Sequence, residues 1–218
     1  LKGGQLYPNE LVEKVFNEKP SAAVCAVINS QWENLVKNIQ EQIIKRIAET
    51  GNTNFNLTRC IIMSDVSGSM RGTPMMVSIA FGILVSQLTH DAFKDLVLTF
   101  DTDPVFHSLK DKRNFVEKVE SLKDAPWGGS TNFEGAMNLI IDIVEKNKLR
   151  EDEIPQSLLV VSDMQFNKAV GLRSTRRGSG WGTAFDNIRE MFKALGLRMY
   201  GREISPCLLY TSPSPRDQ

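Results

Sequence analysis

No stretch of this chain approaches the roughly 20 consecutive apolar residues that a membrane-spanning helix requires, so no such span is expected. The residues ahead of Pro8 lack the apolar core of a secretory signal. The default expectation is therefore an intracellular, reducing location. Because the first residue is Leu1 rather than Met, an upstream leader is left open. An excess of either charge is also missing. Lys plus Arg and Asp plus Glu both total 26 in 218 residues, which removes any global pull toward nucleic acid or an acidic membrane surface. Cysteine is scarce: Cys25, Cys60 and Cys207 have no CxxC spacing, and the first two sit in apolar runs, as buried free thiols do. Only two histidines, His90 and His107, are present, and they are far apart in sequence.

What is present suffices for one domain of ordinary size, since 41% of the residues are hydrophobic. The last twelve residues, 207–218, read Cys-Leu-Leu-Tyr-Thr-Ser-Pro-Ser-Pro-Arg-Asp-Gln and resemble a translated sequencing adapter; a natural Ser/Pro-rich tail is the alternative. The helical pattern before them stops without the strand that should follow it. A domain truncated before its last strands is therefore expected, with 207–218 set aside from fold reasoning.

Hydrophobic periodicity divides the rest. Residues 8–17 read as a short helix opened by Pro8, with Leu11, Val12 and Val15 on one face. Residues 30–49 read as a longer amphipathic helix, on which Trp32, Leu35, Val36, Ile39, Ile43, Ile44 and Ile47 recur at three- and four-residue spacing. Apolar runs at 58–64, 95–101 and 157–162 read as buried strands, and 104–109 as a short edge strand, where Pro104 is tolerable. Helices are expected at 74–90, 112–121, 131–147 and 183–195. Strands alternating with helices, and central strands that are continuously apolar, predict an α/β fold. Its sheet is mostly parallel and covered by helices on both faces.

Three polar elements then fall at equivalent places: Asp65-x-Ser67-x-Ser69 after the first strand, Thr131 at a helix start, and Asp163 after the strand ending near 162. Ligands of open α/β sheets bind beyond the carboxyl ends of the strands, where strand order reverses. The five side chains offer oxygen only, two carboxylates and three hydroxyls. Such a set suits a hard cation, Mg²⁺, Mn²⁺ or Ca²⁺, rather than thiolate-bound zinc. Its low negative charge would leave the ion electrophilic and able to take an acidic oxygen from a partner. Each piece alone is weak, because Ser-Gly-Ser can simply cap the next helix; the ordered combination is specific.

That combination resembles the von Willebrand A family, whose metal-ion-dependent adhesion site has the DxSxS pattern with a distant Thr and Asp. The resemblance implies a Rossmann-like fold, with Ser67, Ser69 and Thr131 as hydroxyl ligands. Asp65 and Asp163 would be the carboxylates binding directly or through water. A closer resemblance rests on Leu6-Tyr7-Pro8-Asn9-Glu10-Leu11, Gln31-Trp32, Gly72-Thr73-Pro74-Met75, Trp127-Gly128-Gly129-Ser130-Thr131-Asn132-Phe133 and Ser162-Asp163-Met164-Gln165-Phe166. These are similar to proteins that join a TROVE-like helical region to a C-terminal von Willebrand A domain, distant relatives of the Ro ribonucleoprotein. The resemblance implies that residues 1–55 end a helical region and that 56–206 form the von Willebrand A-like domain. It also implies RNA association as a family-level alternative, through helices lying before this chain.

Three arginines, Arg173, Arg176 and Arg177, stand among Gly178, Gly180 and Trp181 after Asp163, and could contact phosphates or an acidic partner; a solvated surface loop is the plainer alternative. Trp32, Trp127 and Phe133 read as packing residues, and His90 as a helix-end residue. No Ser-His-Asp arrangement is supported, and Gly68 and Gly72 precede no Lys at phosphate-loop spacing. The expected function is therefore non-enzymatic, metal-dependent capture of an acidic group on a protein partner. A metal-dependent hydrolase is a further alternative that lacks an evident general base.

Overall fold

The strand Cys60–Ser64 (β1) is buried along its whole length, as a central strand must be when helices cover both faces of its sheet. The structure, a computed structural model, describes residues 6–17, 20–51, 57–125, 132–163, 180–206 and 208–211. In it, β1 lies between Leu96–Thr99 (β2) and Ser157–Val161 (β4), parallel to both. Phe106–Ser108 (β3) pairs antiparallel with β2 at one edge, and Leu208–Thr211 (β5) pairs parallel with β4 at the other. The order β3-β2-β1-β4-β5 reverses between β1 and β4. A strand therefore does follow the last helix, where the sequence led to the expectation of none: Ser157 to Val160 of β4 pair with Leu208 to Thr211.

Six α-helices accompany the sheet among the described residues: α1 (Pro8–Asn17), α2 (Ala22–Thr50), α3 (Thr73–Leu88), α4 (Phe115–Lys123), α5 (Phe133–Lys146) and α6 (Gly180–Tyr200). Side-chain alternation along β1 divides the interior. Cys60 and Ile62 join Leu11, Trp32, Ile79 and Val119 on one face, the side of α1 to α4. Ile61 and Met63 join Phe133, Ile140, Ile188 and Phe192 on the other, the side of α5 and α6. The expectation of an α/β sheet covered on both faces holds.

Several boundaries moved for local reasons. Helix α2 begins at Ala22, eight residues earlier than the expected start at 30, because Ser21 caps it, accepting from the Val24 N–H at 3.4 Å, and alanines follow. Only Ile28, Trp32 and Leu35 of α2 are fully buried, while Ile44 is exposed, so its apolar spacing overstates what it buries. The fourth helix starts at Phe115 rather than 112, because Asn114 accepts from the Glu117 N–H at 3.0 Å. On α5 the buried stripe is Phe133, Ala136, Met137, Ile140, Ile141 and Val144, with Leu139 and Ile143 only partly buried. Gly180, Trp181 and Gly182, read as loop, open α6.

Two glycines set the placement of α3. Gly72 precedes it with φ 91°, a conformation that side chains rarely adopt. A Cβ on Gly82 would come within 2.7 Å of the Ser64 Oγ, so the absent side chain lets α3 lie close against β1. Cys25 and Cys60 are both free thiols. Cys60 is buried, which pushes its pKa up, partly offset by a hydrogen bond with Ser157, whereas Cys25 is only partly buried.

Candidate functional site

The parallel pairing of β1 with β4 brings their carboxyl ends side by side, with Ser64 opposite Val161. The pairing continues one step further, where the Asp65 N–H donates to the Val161 carbonyl at 3.0 Å. Asp65 is 0% exposed. A carboxylate that deep must be hydrogen-bonded or paired. Its Oδ1 accepts from the Ser67 N–H at 2.9 Å, the short-range bond that Asp makes two residues ahead in turns, and its Oδ2 accepts from the Ser162 hydroxyl at 2.5 Å.

Beyond Asp65 the chain makes a single 3-10 turn, Gly68–Met70, closed by the Met70 N–H on the Ser67 carbonyl at 3.0 Å. The turn sets the Ser67 and Ser69 hydroxyl oxygens 3.0 Å apart, and Ser69 Oγ donates to Asp163 Oδ1 at 3.0 Å. Met70 turns inward, and its sulfur accepts from the Asp163 N–H at 3.1 Å. The result is a run of hydrogen bonds from buried Asp65 to the Ser67 backbone, and from the Ser67 hydroxyl through that of Ser69 to partly exposed Asp163.

Four of the five expected site residues, Asp65, Ser67, Ser69 and Asp163, therefore converge. Thr131 lies outside the described residues, as do Trp127, Arg173, Arg176 and Arg177. The described residue next to Thr131 is anchored at the same rim: the Asn132 N–H donates to the carbonyl of Asp101, just past the end of β2, at 3.0 Å. Asn132 also caps α5 through the Gly135 N–H at 2.9 Å. Sequence reasoning assigned no role to Ser162 or to the Met70 sulfur. Neither residue type signals such a role; only strand pairing across some ninety residues reveals it.

Among the described residues no three His, Cys, Asp or Glu side chains gather as a metal site. The rim contributes two carboxylates, and its remaining oxygens are hydroxyls. A concavity of about 960 Å³ lies elsewhere, beside Arg59, Gln156 and Ser157 at the opposite edge of the sheet. Its charged groups are already engaged: the Arg59 guanidinium donates to the carbonyls of Ile154 and Glu151, and Arg202 pairs with Glu151 at 2.6 Å. The rim, with carboxylate and hydroxyl groups converging from two strand ends, is the stronger candidate.

Both histidines have partners of their own. His90 Nδ1 accepts from the Ala92 N–H at 3.2 Å, and the His90 N–H reaches the Thr58 carbonyl ahead of β1, away from the rim. His107 on β3 meets the Ser121 hydroxyl at 2.9 Å. Burial, and secondarily the charge of Lys112, lower the His107 pKa, against a weaker opposing pull from Asp111. The unfolded chain therefore takes up this proton first as pH falls below the ordinary imidazole value of about 6.5. Stability from the neutral ring should be present above that pH and lost beneath it. Urea midpoints measured between pH 7.5 and 5.5 should fall less steeply for His107→Gln than for the wild type; equal slopes would contradict this.

The fold and rim define a class: an α/β protein with a mostly parallel sheet and a cluster of carboxylate and hydroxyl oxygens at its topological switch point. The chain belongs to the family described as "Domain of unknown function (DUF7788)", whose model matches residues 59–204. It is 40% identical over 149 residues to "Uncharacterized protein L728" of Acanthamoeba polyphaga mimivirus, an alignment that covers 67% of this chain and 25% of that protein. The match thus spans about a quarter of the relative's length. No solved structure matches the chain. None of the helices among the described residues is long and apolar enough to cross a membrane.

Proposed function

We propose that the rim binds a divalent cation, Mg²⁺ or the similar Mn²⁺ or Ca²⁺, and through it holds an acidic side chain of a protein partner, as the resemblance to von Willebrand A adhesion sites implies. The observation that carries this reading is the convergence of Asp65, Ser67, Ser69 and Asp163, from the ends of two strands, into one hydrogen-bonded cluster. Their chemistry fits a hard cation. Asp65 gives a buried charge, Asp163 a partly exposed one, and the serines neutral oxygens between them. Thr131 would supply the third hydroxyl. When bound, the ion supplies an electrophilic centre for an incoming carboxylate; the protein's own part is to hold the oxygens in place.

Binding without turnover is the favoured reading because both histidines are engaged elsewhere, His90 with Ala92 and His107 with Ser121, which leaves the described rim without an imidazole base. Titration of the chain with Mn²⁺ by calorimetry should give saturable binding at one equivalent. A fluorescent Glu-containing peptide should then bind in the presence of Mn²⁺ and be released by EDTA, and a Gln counterpart should not bind. Absence of Mn²⁺ binding would remove the metal reading. Mn²⁺ binding with equal affinity for the Glu and Gln peptides would remove the acidic-partner reading alone.

A further inference from the structure

The two segments that form the rim are stitched together by three reciprocal contacts. The Ser69 hydroxyl donates to the Asp163 carboxylate at 3.0 Å, across 94 residues. The Asp163 N–H donates to the Met70 sulfur at 3.1 Å, across 93 residues. The Ser162 hydroxyl donates to Asp65 Oδ2 at 2.5 Å, across 97 residues. Of these, the Ser162 contact is unlike the others. It reaches the rim carboxylate that is 0% exposed, and it does so from a residue with no place in the expected ligand set.

Asp65 Oδ1 is held by the Ser67 N–H, within its own loop. Without a second donor the carboxylate could rotate about its χ2 bond, a broad torsion with little intrinsic preference. Ser162 supplies that donor from the neighbouring strand, so the two oxygens of Asp65 are each fixed by a different strand end. A hydroxyl-to-carboxylate bond is charge-assisted and among the stronger neutral-donor contacts. We infer that Ser162 is a positioning residue for the cation: it fixes the orientation of the Asp65 carboxylate, and with it the buried negative charge of the rim. The inference rests on the metal reading of the rim. Groups of this kind that orient a site's carboxylates from behind typically change metal affinity by about 10–100-fold when removed.

The test is Mn²⁺ titration of the full chain by calorimetry, beside thermal unfolding in EDTA. Ser162→Ala should weaken Mn²⁺ binding by about tenfold or more. Ser162→Thr, which keeps the hydroxyl, should bind within about threefold of the wild type, and the loss in Ser162→Ala should persist well below its metal-free unfolding transition, where the variant is fully folded. A purely structural role would instead lower the metal-free unfolding temperature of Ser162→Ala without a matching loss of affinity. If the alanine variant does not fold, Ser162→Cys carries the same test, being near-isosteric with only a weak donor. Wild-type binding together with undiminished affinity in the alanine or cysteine variant overturns the role of Ser162 and leaves the metal reading standing. Absence of wild-type binding overturns both.

Discussion

Asp163→Ala should lower Mn²⁺ affinity by more than about a hundredfold, beyond the 10–100-fold range of groups that act through another ligand. Asp163 is the more exposed of the two rim carboxylates, and its Oδ1 already meets the Ser69 hydroxyl at 3.0 Å. Its backbone contact to Met70 survives the substitution, since only the N–H takes part. The fold should therefore be nearly unperturbed, with an EDTA unfolding temperature within a few degrees of the wild type. Asp65→Ala is the less clean experiment. It deletes a fully buried group and strands the Ser162 hydroxyl and the Ser67 N–H, so loss of affinity and loss of stability would arrive together. Retention of Mn²⁺ binding in Asp163→Ala would count directly against the rim as the ion's site.

The second large effect concerns the N-terminal helices. Trp32 is 2% exposed, stacks on Phe115 of α4 with ring centroids 4.0 Å apart, and donates its indole N–H to Gln87 Oε1 at 2.8 Å. Trp32→Ala should cost about 3–5 kcal/mol, from lost burial, the cavity left behind and an unpaired amide. For a domain of this size that corresponds to a drop in unfolding temperature of roughly 6–20 °C. The reason to measure it is organisational. The family match begins at residue 59, yet Leu11, Val12, Val15, Ile28, Trp32 and Leu35 share one apolar core with β1 and α3. A small effect would mean that α1 and α2 are an appendage; a large one would mean that the sheet relies on them for one of its two covers.

Much of the architecture could be read from residue order, for identifiable reasons. The central strands are short, mostly apolar runs alternating with helices that carry apolar residues of their own, so element type and the two-sided covering were both legible. Helix starts were less so, because they are decided by single capping residues such as Ser21 and Asn114 rather than by periodicity. The final strand, Leu208–Thr211, lies in a segment set aside for its resemblance to a translated sequencing adapter. At the rim, the DxSxS spacing and the strand-terminal Asp163 were visible because each follows an apolar run. Ser162 and Met70 were not, since their roles depend on which strand lies beside which, and nothing local to residues 70 or 162 encodes that.

The adjacency of β1 and β4 also bears on how the rim comes into being. Its cross-links close loops of 93 to 97 residues. The entropy lost in closing a loop that long grows only slowly with length, but nothing repays it until the parallel strands themselves pair. Hydrogen bonds between hydroxyls and carboxylates at a solvent-facing rim are too few to drive that closure. The oxygens are therefore organised late, by the register of Ser64 against Val161, and inherit their spacing from the sheet. Any ligand that prefers the finished rim then acts back on folding. It favours the native chain increasingly as its concentration exceeds its dissociation constant.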